Sequence, residues 1–166
     1  MTDFSNVRRV QFGRIGGFVF SEPIKVKKLS NTAKLPTRGS EYAAGYDLYA
    51  DIKETTMIKP GDVLKVNTGI AIEIPDGFFG GIYPRSGLAT KQGLAPANKV
   101  GVIDSDYRGP IIVALYNHSN VPQLVHPGDR IAQLIIQPYM SFEWEEVDTL
   151  EETDRNTGGF GSTGIS

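Results

Sequence analysis

Short β-type runs alternate with turn signals along most of this chain, and that rhythm limits it to all-β architectures. Ile24, Val26 and Leu29 are interleaved with Lys25, Lys27 and Lys28. Lys59-Pro60-Gly61-Asp62 is a turn that feeds Val63-Leu64-Lys65-Val66. Ile70, Ile72 and Ile74 fall on one face of a strand, and Pro75-Asp76-Gly77 turns after it. Ile111 to Tyr116 is a continuous apolar run of strand length, which predicts burial on both faces. Pro127-Gly128-Asp129 turns into Ile131-Ala132-Gln133-Leu134-Ile135-Ile136. Glycine (19) and proline (10) supply 29 of 166 residues, above the background of about 12% yet below the low-complexity range. No repeat period stands out, so solenoids and propellers are set aside. The expectation is a sandwich, jelly roll or barrel with one short helix of about two turns over Ser86–Gln92.

Composition narrows the chemistry. Cysteine is absent, which removes disulfides, thiol nucleophiles and thiolate metal sites. His118 and His126 are the only histidines, too few for a His-built metal cage. Catalysis would run on carboxylates, hydroxyls, arginines and backbone amides. The net charge of −2 argues against a general nucleic-acid coat, which is usually basic. That charge is uneven: residues 1–142 carry 16 bases and 12 acids, whereas 143–166 carry Arg155 against seven acids. The acidic stretch reads as a solvated segment or spacer. No apolar run approaches the ~20 residues that span a bilayer, and no signal-peptide core is present. At the N-terminus, Arg8, Arg9 and Arg14 oppose Asp3 among several apolar residues. A transit peptide has this texture, and so does an extra arm; the spacing does not separate them.

Several segments could carry a site. Asp104, in Gly101-Val102-Ile103-Asp104-Ser105-Asp106-Tyr107-Arg108-Gly109-Pro110, stands where a strand enters a polar turn. A carboxylate there can orient and deprotonate a water; a turn that merely favours Asp and Ser would look the same. Arg85 and Ser86 stand at the mouth of the short helix, suited to a phosphate or, for Ser86, to a plain N-cap. Asp47 lies in an otherwise small and aromatic strand, and a buried acid needs a partner. Structural pairing and a water-mediated metal role both fit it. Near the C-terminus, Phe160 stands among four glycines with Arg155, Ser162 and Thr163 nearby. Such a backbone can approach a ligand closely and can also be a plain Gly/Ser tail, although a tail gains nothing from the Phe. Together the signals describe a phosphate-rich ligand with a flat ring. Its cation would be Mg²⁺, held mainly by the ligand's own phosphates.

Five segments stand in order: AAGYDLYA (43–50), PRSGLA (84–89), GVIDSDYRG (101–109), PGDRIAQLI (127–135) and RNTGGFGSTG (155–164). In this set the chain resembles the homotrimeric dUTPase family over about residues 24–164. The resemblance implies an all-β, jelly-roll-like subunit, a threefold homotrimer and active sites shared between subunits. It implies Mg²⁺-dependent hydrolysis of dUTP to dUMP and pyrophosphate, which limits uracil entry into DNA and supplies dUMP for dTMP synthesis. It implies no nucleic-acid or membrane partner, and a cytoplasmic location, with nucleus or organelle as eukaryotic variants.

Carried over by motif, Asp104 matches the water-activating carboxylate and Tyr107 the ring that packs on deoxyribose and rejects UTP. Asn98, Gly101 and Ile103 match the hairpin that reads uracil. Arg85, Ser86, Gly87 and Gln133 match phosphate-binding positions, and Asp47 the acid that holds waters on Mg²⁺. Asp106 and Arg130 match structural positions, expected to pair with each other or with neighbouring subunits. Phe160, Gly161, Ser162 and Thr163, with Arg155, match a closing lid in which the Phe stacks over uracil. Asn156 departs from the family's usual glycine. The expected organisation is a flexible extension over 1–23, a β core over 24–142, and an acidic connector with a Gly-rich lid over 143–166. A dCTP deaminase shares this fold, but the Asp104 and Tyr107 pattern is that of the hydrolase. A regulatory or interaction protein on the same fold remains the alternative outside enzymes.

Overall fold

A computed structural model of the chain describes residues 23–158. The expectations for residues 1–22 and for Phe160, Gly161, Ser162 and Thr163 lie outside the described residues. Twelve strands and one helix follow in order: β1 (Lys25–Lys28), β2 (Thr37–Arg38), β3 (Tyr46–Tyr49), β4 (Thr56–Ile58), β5 (Val63–Asn67), β6 (Ile70–Glu73), β7 (Phe78–Tyr83), α1 (Ser86–Gln92), β8 (Leu94–Pro96), β9 (Gly101–Ile103), β10 (Ile112–Asn117), β11 (Gln123–Val125) and β12 (Arg130–Pro138).

All the pairings are antiparallel. The largest sheet has the order β2-β3-β12-β7-β9, a second runs β5-β10-β8, and β1-β6 and β4-β11 are two-stranded. None of these sheets closes on itself, so the layered, sandwich-like form of the expected all-β fold applies and a closed barrel does not. The turns do what their residues dictate. Asp62 N donates to Lys59 O and Phe78 N to Pro75 O, and Gly61 and Gly77 supply the positive φ, near +80°, at the third position of each.

One apolar cluster lies between the sheets. Leu48, Ile82 and Leu134 from the five-stranded sheet join Val66, Leu94, Val113 and Leu115 from the three-stranded one. Each fully buried Leu, Ile or Val contributes ~1.5–3 kcal/mol relative to exposure. Ile70, Ile72 and Ile74 are buried together while Glu73 is exposed, but Ala71 is buried too, so the alternation holds only in part. β10 differs from expectation. Val113, Leu115 and Asn117 are buried, but Ile112 is 44% exposed. β5 and β8 flank β10 in the plane of the sheet, so only one of its faces rests on the core. α1 spans the expected residues, but Arg85, not Ser86, is its N-cap, with no side-chain cap bond.

Candidate active site

Two groups of candidate residues form at separate places. The first gathers on the outer face of the five-stranded sheet. Asp47 of β3 stands opposite Gln133 of β12 in register, which puts both side chains on one face. Leu48, the next residue, points into the core. Asp47 is only 8% exposed, and two guanidinium groups span its carboxylate. Oδ1 accepts from Arg85 Nε at 2.7 Å and Oδ2 from Arg130 Nη1 at 3.1 Å. The acid in the small, aromatic strand therefore has its partners, 38 and 83 positions away.

The rest of this group is tied to the same point. Arg85 Nη1 also donates to Arg130 O at 3.4 Å. Gln133 Nε2 donates to Pro84 O at 2.8 Å, which fastens the entry of α1 to β12. A cleft of about 190 Å³ collects Asp47, Arg85, Ser86, Gly87, Arg130 and Gln133, with the loop over 39–45 as its far wall. Nothing lies within 4 Å of the place a Cβ would take on Gly87, so the space beside it is open. A larger hollow of about 290 Å³ along Lys28–Asn31 brings together none of the expected residues. One carboxylate between two permanent cations leaves the cleft with a net charge of +1. Guanidinium donors on such a cleft suit phosphate oxygens.

Arg130 differs from one of the pairings expected from sequence: within the chain it meets Asp47, not Asp106. The β12 register shifts between Arg130 and Ala132, and Ile131 and Ala132 are both buried in succession. Strict alternation would send Arg130 to the core side. The extra residue turns it to the face of Asp47. Asp106 is exposed in a turn and makes no ion pair among the described residues.

The second group surrounds β9. Asp104 is exposed just past the strand end, and its carbonyl accepts from Tyr107 N at 3.2 Å to close a turn. Arg108 Nη1 braces this turn by donating to the carbonyls of Ser105 and Tyr107. Tyr107 donates its hydroxyl to Pro110 O at 3.1 Å. Its ring lies so close over Gly109 that a Cβ there would meet ring Cζ at 2.6 Å. The ring is thus held against backbone while 43% of the residue stays exposed. Asn98 is exposed in the loop before β9, its amide nitrogen 3.2 Å from where a Gly101 Cβ would sit. Ile103 is half-buried. The expected hairpin over 98–103 is not a paired one: β8 bonds to β10 and β9 to β7, so the loop crosses between sheets.

β7 measures the gap between the groups. Ile103 pairs with Gly80 and Gly101 with Ile82. Continuing that register sets Asp104 beside Phe79, at the start of β7, whereas Arg85 follows its end. Six residues of extended chain between Phe79 and Arg85 correspond to about 20 Å. A single chain therefore does not bring Asp104 to the phosphate-type cleft. Arg155 joins neither group; its Nε donates to Gly158 O at 2.8 Å within a local turn. Asn156 in that turn has φ +38°, a left-handed conformation that glycine adopts freely and Asn tolerates.

The all-β layers, with the Asp–Arg–Arg cleft and the Asp–Tyr turn on them, fit the class of nucleotide-handling enzymes. Among known proteins, the dUTPase family model matches residues 31–164. The chain belongs to the dUTPase family. It is 49% identical, over 148 residues, to the deoxyuridine 5'-triphosphate nucleotidohydrolase of Desulfitobacterium hafniense, covering 86% of this chain and 98% of that one. A solved dUTPase variant from phage 80alpha superposes with a TM-score of 0.78 at 28% identity, covering 86% of this chain and 99% of that one. Another variant of the Staphylococcus bacteriophage 80alpha enzyme, solved with dUpNHpp, gives 0.75 at 28% identity, covering 87% and 100%.

Proposed function

We propose that this chain is a dUTP diphosphatase, hydrolysing dUTP to dUMP and pyrophosphate, and that each active site is assembled from several copies of it. The separation of the two groups along β7 carries the second half of this reading. Asp104 and the Arg85 cleft of one chain lie about 20 Å apart, at opposite ends of one strand. A homotrimer unites them if the β9 end of one copy meets the α1 end of the next. The segment after β12 supports a partner copy. Met140, Phe142, Trp144 and Leu150 are 74–100% exposed there, more apolar surface than a purely solvated connector carries.

In the assembled site, Arg85, with Ser86, Gly87 and Gln133, holds the phosphate chain. Asp104 orients a water toward the α-phosphorus and takes its proton. The new P–O bond stays on dUMP, and the bond from the α-phosphorus to the bridging oxygen breaks to release pyrophosphate. Tyr107 lies flat against the deoxyribose, leaving no room for a 2′-hydroxyl. Asn98, Gly101 and Ile103 read the uracil edge. Shape alone would exclude a thymine methyl by only roughly 1–3 kcal/mol, so this loop must be rigid. Arg155, Phe160, Gly161, Ser162 and Thr163 form a lid that closes over the nucleotide and excludes water.

The donor set fits Mg²⁺ carried on the substrate. No group of three His, Asp or Glu that could cage a metal exists among the described residues. Asp47 uses two of the roughly four acceptor sites of its carboxylate on Arg85 and Arg130, which leaves sites for the waters of a hydrated cation. Bound Mg²⁺ would offset charge on the phosphates. A free-nucleotide substrate is compatible with a cytoplasmic location, with nucleus or organelle as eukaryotic variants. Pyrophosphate release from dUTP, dTTP, dCTP and UTP with Mg²⁺ tests the reading. Release from dUTP alone is expected; equal release from UTP or dTTP contradicts it, and ammonia from dCTP would mean a deaminase.

A further inference from the structure

Arg130 is the one cation of the cleft to which the proposed reaction gives no task. It is 51% exposed at its side chain, against 26% for Arg85. It reaches the cleft only because the β12 bulge turns it there. Bulges are over-represented beside active sites, where they re-aim a side chain. Arg130 also grips the cleft twice, by its guanidinium on Asp47 and by its carbonyl under Arg85.

Charge shows what this arrangement accomplishes. Asp47 is an anion in a cleft for an anionic ligand, and like charges at close range repel. Arg85 alone would only neutralise it, and the pair would carry no net attraction for phosphate. With Arg130 on the other carboxylate oxygen, the trio carries +1. The charge of Arg85 is then available to the ligand while Asp47 still fixes its Nε. We infer that Arg130 is a positioning residue for the phosphate chain, acting through Asp47: it holds and neutralises the carboxylate whose other oxygen fixes Arg85. This rests on the phosphate reading of the cleft and deepens it.

Calorimetric titration of dUTP in EDTA tests this without turnover and without the metal waters also assigned to Asp47. The intact assemblies compared are wild type, Arg130→Gln, Arg130→Lys, Asp47→Asn, Asp47→Asn/Arg130→Gln and Arg85→Gln. Arg130→Gln should weaken binding by at least about tenfold, ~1.4 kcal/mol. Arg130→Lys, which keeps the charge, should stay within about threefold of wild type. In the Asp47→Asn background, losing Arg130 should cost less than about threefold, which is the coupling a double-mutant cycle measures. Full affinity in Arg130→Gln overturns the inference. So does an equal loss in both backgrounds, which would mean a direct contact with phosphate or a structural role. If Arg130→Gln does not fold, the Arg130→Lys affinity and the comparison of Asp47→Asn with the double variant decide. Unchanged affinity in Arg85→Gln would instead sink the phosphate reading itself.

Discussion

Asp104 and Asn117 mark the two extremes of what one side chain does in this molecule. Asp104 is exposed and makes no ion pair among the described residues, so the fold does not depend on it. Asp104→Asn should keep the melting temperature and dUTP affinity while abolishing most turnover. Turnover within about threefold of wild type, under 1 kcal/mol of barrier, would remove it as the base. Asn117 is fully buried. Its Nδ2 donates to Ile58 O and Val121 O, and its Oδ1 accepts from Ser119 N and Oγ. Asn117→Ala strands these groups and should cost ~3 kcal/mol in denaturant unfolding; a loss under ~0.5 kcal/mol would contradict that role. The two residues were unequally legible. The strand-to-turn setting of Asp104 is written in ten consecutive residues. Asn117 sits in an apolar run, and its partner Ile58 is 59 positions away. Asp47 announces that it needs a partner, but nothing local names Arg85 and Arg130.

At the scale of elements, turns and alternation carry most of the reading, and irregular backbone limits it. The Gly-containing turns lead into β5 where expected and into β12 one residue early, and the turn at 75–77 also starts β7, a strand that no alternation signals. The β12 bulge has no signal in its own residues, because Arg130, Ile131 and Ala132 would suit a regular strand equally well. Register is a property of two strands, and the sequence of one does not contain it. The crossing between β8 and β9 is absent from the local sequence for the same reason. α1 was legible to the residue, and its end explains why: Gly93 has φ +68°, and its amide donates to Ala89 O. A Cβ at Gly93 would lie 2.9 Å from Ser119 N. Gly93→Ala should therefore cost ~1–3 kcal/mol and lower dUTP affinity, since α1 carries the cleft residue Ser86; unchanged unfolding would show that the turn yields more easily. Ending the chain at Asp154 should leave the β core folded, with an unchanged melting temperature and little activity. Full activity in that form would dismiss the lid.

For the whole molecule, the proposed reading is of a chain that holds two half-sites rather than one site. Composition left carboxylates, hydroxyls, arginines and backbone amides for any catalysis, single segments pointed to a phosphate-type ligand, and the motifs indicated the family. The distance between half-sites is a consequence of antiparallel pairing, which sets the end of β9 at the start of β7 while Arg85 follows the end of β7, and no periodicity reports it. Exposed Ile112 on the outer face of β10 and the apolar side chains along 139–150 belong to the same account. They are surfaces that a lone chain leaves to water. Mixed assemblies of Asp104→Asn and Arg85→Gln chains test the shared site most directly. Each parent should be nearly inactive alone. After co-expression or joint refolding in equal amounts, with mixing verified by mass, about a quarter of the sites should combine one intact half from each chain. The account predicts that dUTP hydrolysis returns to roughly that fraction of wild type. Activity no higher than that of the parents, in assemblies proven to be mixed, would contradict it.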